Sequence, residues 1–130
     1  MKLYIAGPMR GYAEFNHPAF HKAAGLLRAD GHEVFCPAEY DNDNGFDFTD
    51  ATGSPEDLVK AGFDLRIALA TDLRWICEKA SGVTVLPGWE ASLGANAEVA
   101  TAHALSLPVW EVGALLVHGA EALRVTAGAS

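Results

Sequence analysis

Apolar and polar positions alternate along the chain with two periods, one suited to strands and one to helices. Residues 2 to 6, Lys-Leu-Tyr-Ile-Ala, form a short apolar run closed by Gly7-Pro8, the pattern of a buried strand ending in a turn. A loop from Gly7 to Asn16 follows. Pro18 then stands where a first helical residue belongs, and Phe20, Ala24 and Leu27 recur at helical spacing until Gly31. His32 to Cys36 reads as a second strand through Val34 and Phe35, stopped by Pro37, and residues 41 to 54, rich in Asp, Asn, Gly and Thr, read as a loop.

Ser54-Pro55-Glu56-Asp57 combines an N-cap hydroxyl, a proline at the first helical position and two acids against the helix dipole. It predicts a long helix to about Ala80, bent near Gly62. Gly82 to Leu86 is the most β-like run, Ala95 to Leu105 is alanine-rich and helical, Pro108 to Val112 is a last strand, and residues 113 to 124 add a terminal helix. Strands alternating with helices predict an α/β fold. We expect a single domain over residues 1 to 130, a doubly wound, flavodoxin/Rossmann-like parallel sheet of four to five strands with helices on both faces. Such sheets bind ligands at the carboxyl ends of their strands, which directs attention to the loops after Ala6, Cys36 and Leu86.

The composition fits this picture: 50% hydrophobic and 20% charged residues in a chain of 130 suit one globular domain, with no need of a metal or disulfide to hold it. Cys36 and Cys77 form no C-x-x-C pair, and the chain opens directly on a strand pattern, so a reducing, cytoplasmic setting is expected. No stretch reads as a membrane span. Nine basic against seventeen acidic residues give a formal charge of −8, which argues against polymeric nucleic acid as a partner. That charge is uneven, because residues 38 to 54 contain no Lys or Arg while 91 to 110 carry one formal charge, Glu98.

Glu98 is an odd carboxylate, set among Ala95, Ala97, Val99, Ala100 and Ala102; it sits either on an exposed stripe or in a role that needs it. Asp72 shares one helical stripe with Leu65, Leu69 and Ile76, which puts an acid on an apolar face, for function or for a buried hydrogen bond. Asp57, Asp64 and Glu78 lie off the stripe and read as solvated. Two converging carboxylates are what glycosidic cleavage requires, one attacking the anomeric carbon and the other handling protons on the leaving group. Gly7-Pro8-Met9-Arg10-Gly11-Tyr12 offers close backbone approach and an anion clamp in Arg10, or an ordinary turn. Ser92-Leu93-Gly94 opens the helix carrying Glu98, as an N-cap or as a phosphate seat. The acidic loop is either a lid over the strand ends or a solvated insertion.

Other chemistries fail. A calcium loop with Gly45 as its sixth position would put Tyr40 first and Ala51 twelfth, where acids are needed, and His17 with His21 lacks a third metal ligand. There is no Walker loop, G-x-G-x-x-G, H-E-x-x-H or G-x-S-x-G elbow. No metal or cofactor is expected.

Taken together, Tyr4-Ile5-Ala6-Gly7-Pro8-Met9-Arg10-Gly11, Asp72, Leu86-Pro87-Gly88-Trp89 and Ser92-Leu93-Gly94-x-x-x-Glu98 resemble the nucleoside 2-deoxyribosyltransferase superfamily over residues 3 to about 110. Within it they look most like the 2'-deoxynucleoside 5'-phosphate N-hydrolases and a phage and bacterial branch. The resemblance implies that Glu98 is the nucleophile of a glycosyl-enzyme intermediate and that Asp72 contacts base or sugar and assists proton transfer. It implies further that Arg10, Gly11, Ser92 and Gly94 hold a 5'-phosphate, with Tyr4, Gly7 and Met9 also against the substrate. Relatives that exchange bases usually carry a further acid shortly before the nucleophile; the nearest here is Glu90. The partners implied are a small nucleotide or nucleoside and a second copy of the chain, as a homodimer or larger. The expected activity is therefore N-glycosidic cleavage of a nucleoside 5'-monophosphate; the alternatives are base exchange on unphosphorylated nucleosides and a non-catalytic nucleotide-binding module.

Overall fold

The computed structural model describes residues 1–127 and contains one four-stranded parallel sheet. Its strands are β1 (Lys2–Ala6), β2 (Glu33–Phe35), β3 (Gly82–Val85) and β4 (Val109–Glu111), in the order β2-β1-β3-β4. The register sets Tyr4 of β1 opposite Phe35 on one side and Val83 on the other, and Val83 opposite Val109. Among the described residues six α-helices accompany them: α1 (His17–Ala29), α2 (Pro37–Asp43), α3 (Pro55–Ala61), α4 (Leu65–Lys79), α5 (Leu93–Ala104) and α6 (Val112–His118).

Successive side chains of a strand point to opposite faces, and β1 uses both. Leu3 and Ile5 pack with Phe20, Ala24 and Leu27 of α1 and Leu115 of α6. Tyr4 and Ala6 pack with Ile76 of α4 and Ala95, Val99 and Ala102 of α5. The sheet is thus covered on both faces, as its near-continuous apolar strands require. From β1 the chain steps outward to β2, then crosses back past β1 to reach β3. With crossovers of one hand, that reversal moves the connecting helices from the α1 face to the α4 and α5 face. It also opens a crevice where the carboxyl ends of β1 and β3 diverge.

Three elements differ from the sequence expectation, one of them the terminal helix, which ends at His118 and does not run to 124. The helix predicted from Ser54 to Ala80 is two helices, because Gly62 takes a left-handed φ of 71° that ends α3, and Asp64 starts α4 afresh by accepting from the N–H groups of Arg66 and Ile67. Asp64 is thus a cap and not merely solvated. Pro37, read as a strand stop, is also the first residue of α2, so helix extends into the segment read as loop. The rest of that segment is tied down: Gly11 N–H donates to Gly53 O at 2.8 Å and Glu14 N–H to Ala51 O at 2.7 Å. Among the described residues no helix is long and apolar enough to cross a membrane.

Candidate active site

The crevice is a cavity of about 560 Å³. The turn after β1 supplies Gly7, Met9, Arg10 and Gly11, the approach to α5 supplies Ser92 and Gly94, and the interior is formed by Tyr4, Asp72 and Glu98. All nine residues singled out in the sequence therefore line one cavity.

Tyr4 is the innermost of them. Strand alternation turns its side chain to the α4 and α5 face, where it is completely buried, and its hydroxyl donates to Glu98 Oε2 at 2.5 Å. The backbone beneath is fixed by the Thr84 hydroxyl, which donates to Tyr4 O at 3.1 Å. Glu98 is 6% exposed, so the isolated carboxylate of an alanine-rich helix faces inward and not onto a wet stripe. Asp72 comes from α4, one step along the stripe on which Leu65 and Leu69 also face the cavity and Ile76 reaches the core.

The three groups perturb one another. Burial raises Glu98 well above the ordinary carboxylate range, the Asp72 charge raises it further, and the Tyr4 hydroxyl opposes both. Burial pushes Asp72 up to about 7, with hydrogen bonding from Tyr4 and Glu98 pulling the other way. Burial is also the main cause that lifts the Tyr4 phenol, so its hydroxyl stays a donor. Two carboxyls in one desolvated pocket resist ionising together, so the pair favours retaining a proton.

The other end of the cavity suits an anion. Ser92 caps α5 by accepting from Ala95 N–H at 3.2 Å, which leaves the free N–H groups and positive dipole end of a twelve-residue helix facing the cavity. Exposed Arg10 also lines the cavity, and none of the described acids pairs with it. The Ser92 hydroxyl is therefore both the N-cap and a wall of the site.

Sequence reasoning missed the opposite wall. Phe15, Phe48 and Phe63 line the cavity, with Phe48 4.6 Å from Phe15 and 6.0 Å from Phe63 between ring centroids. Asp41 of α2 joins them. Phe46 and Phe48 were the available signal, two aromatics inside an acidic stretch that a purely solvated loop would not need. A left-handed turn over Glu14, Phe15 and Asn16, with φ of 54°, 52° and 62°, swings Phe15 inward and is held by Asn16 Nδ2 donating to Pro8 O.

His21, Cys36 and Glu39 place donor atoms within 4.8 Å of one another elsewhere on the molecule. Arg28 already engages both Glu39 oxygens at 2.5 and 2.6 Å, and burial pushes the Cys36 thiol up to about 11, which disfavours a cation there.

Residues 1–111 match a family model described as a domain of unknown function, DUF4406. No curated protein and no solved structure matches the chain.

Proposed function

The chain belongs to the DUF4406 family, and we propose that it is an N-glycosidase that cleaves the bond between base and deoxyribose in a nucleoside 5'-monophosphate. The observation that carries this reading is the buried Tyr4–Glu98 pair with half-buried Asp72 beside it, in a cavity that an anion-ready helix start also lines. The motif resemblance to the nucleoside 2-deoxyribosyltransferase superfamily points the same way.

Glu98, oriented by the Tyr4 hydroxyl, attacks the anomeric carbon as the bond to the base breaks, and the departing nitrogen takes the proton that Asp72 shares with it. The product of this half is free base and a glycosyl ester on Glu98. Asp72, now a carboxylate, deprotonates a water that attacks the same carbon and expels Glu98, which yields deoxyribose 5-phosphate. Arg10, Gly11, Ser92 and Gly94 hold the phosphate, while Gly7 and Met9 shape the sugar end. A protein of this kind works in the cytoplasm, as a homodimer, on a small molecule.

Incubation with each deoxynucleoside 5'-monophosphate and chromatography for free base test the reading. Release is expected from the wild type and loss of about a thousandfold or more from Glu98→Gln. Undiminished release by Glu98→Gln overturns the mechanism. Activity on nucleosides only in the presence of a second base, indifferent to Arg10→Ala, identifies a base-exchanging transferase instead, and saturable binding without turnover identifies a binding module.

A further inference from the structure

The cavity holds one acid more than cleavage needs. Asp41, in the second turn of α2, lines it and is only 7% exposed. Its carboxylate faces His17 Nε2 at 3.4 Å, a contact outside hydrogen-bond geometry that leaves the buried His17 nitrogen without a partner. The His17 ring is itself set edge-on to Phe48 at 5.4 Å, so histidine, acid and aromatic wall form one packed unit.

Topology fixes where this unit stands. α5 follows β3 and α2 follows β2, and β1 runs between those two strands, so the anion end of the cavity and Asp41 lie on opposite sides of β1. The electrostatics follow the same order, since Glu98 feels Asp72, and Asp72 feels Asp41. A nucleotide with its phosphate at Ser92 and its anomeric carbon at Glu98 must then extend its base toward Asp41, between Phe15, Phe48 and Phe63. Arg10 and Ser92 serve the phosphate and Tyr4, Asp72 and Glu98 the reacting bond. Tyr12 stays near the β3 side, its hydroxyl 2.7 Å from where a Cβ on Gly88 would stand. Asp41 remains as the polar side chain available to the edge of the base.

We propose that Asp41 reads the base, and restricts the site to bases that present an amino group there, alone or beside a ring N–H; this rests on the nucleotide reading above. A carboxylate offers acceptors only, so an amino group, as on adenine or cytosine, satisfies it, and the adjacent ring N–H and amino group of guanine satisfy both oxygens. Thymine and uracil present a ring N–H between two carbonyl oxygens, and those oxygens meet the carboxylate lone pairs unfavourably. A buried polar group left unpaired by the wrong substrate is the strongest basis for such selection.

The test compares kcat/KM for dAMP, dCMP, dGMP, TMP and dUMP on wild type and Asp41→Asn. We expect the wild type to favour amino-bearing bases over TMP and dUMP by about tenfold or more, and Asp41→Asn, whose amide can donate to a carbonyl, to narrow or reverse that ratio. A wild type indifferent to the amino group overturns the proposal without any variant, as does an equal loss on all five nucleotides in Asp41→Asn. Calorimetric Kd values for the same panel separate this inference from the reaction. A binding preference for amino-bearing bases that Asp41→Asn removes upholds Asp41 even if no base is released, whereas cleavage with a flat preference overturns Asp41 alone. Failure of every nucleotide to bind overturns both.

Discussion

Asp72 ties stability to pH through a group that the proposed reaction uses. Its carboxyl is raised to about 7, well above its value of roughly 4 in an unfolded chain, because burial penalises the charge. Its contribution to stability is therefore complete below about pH 4 and is lost as the pH climbs through 7. Asp72→Asn is expected to raise Tm by several degrees at pH 8 relative to wild type, and by far less at pH 4; melting curves at the two pH values decide it, and an equal change at both refutes the linkage. Tyr4 carries the complementary prediction. Its hydroxyl holds Glu98 down, so Tyr4→Phe should move the acidic limb of the pH–kcat/KM profile upward and cost about tenfold in rate at neutral pH. A profile that keeps its shape while the rate falls would refute the tuning role. Glu98 and Asp72 were legible in the sequence because each breaks an apolar pattern, one by isolation and one by stripe. Asp41 was not, because it sits in Asp41-Asn42-Asp43-Asn44, where composition says solvent; it is buried beside His17, whose ring meets Phe48 edge-on, and contacts between such distant segments are ones no periodicity encodes.

At the scale of elements, what the sequence hid was interruption. The four strands and the start of α3 followed from apolar runs and from Ser54-Pro55, whose hydroxyl does accept from Asp57 N–H at 3.3 Å. The break after Ala61 did not follow, because a single Gly is compatible with a bend or a stop, and the choice fell to Asp64 as a new cap. The stripe Leu65, Leu69, Asp72, Ile76 has one side but two neighbours, cavity first and core last, which is why α4 buries Ile76 fully and leaves Leu65 half exposed. The segment before α3 is held by Gly53. Its φ is 87°, and a Cβ there would stand 2.1 Å from Tyr12 O, inside the contact that joins this segment to the turn after β1. Gly53→Ala should cost about 1–3 kcal/mol and raise KM more than it lowers kcat, since it displaces the aromatic wall but none of the reacting groups. Thermal unfolding and steady-state kinetics on the same preparation read both effects; an unchanged KM would mean the wall does not depend on this joint.

For the whole molecule, the strand order decides where chemistry is possible and the outer surface decides how many copies take part. The reversal between β1 and β3 gathers the turns after both strands and the two helices of one face around a single cavity, so residues as distant in sequence as Tyr4 and Glu98 come within hydrogen-bond reach. Three helices leave apolar side chains outside: Val59 of α3 is 80% exposed, Ile67 of α4 65% and Leu93 of α5 80%. Leu93 is also at the cavity, so a neighbour that covers these three residues stands at the mouth of the site. Were such a neighbour the second copy of the proposed homodimer, a dyad-related contact would need one self-complementary patch only. Light scattering on a sizing column should give twice the chain mass for the wild type, and the monomer mass for Ile67→Asp, which puts a charge on an exposed apolar position that does not itself line the cavity. If the site is finished by its neighbour, Ile67→Asp also loses base release, and raising protein concentration restores both dimer and activity together; a fully active monomer would place the whole reaction within one chain.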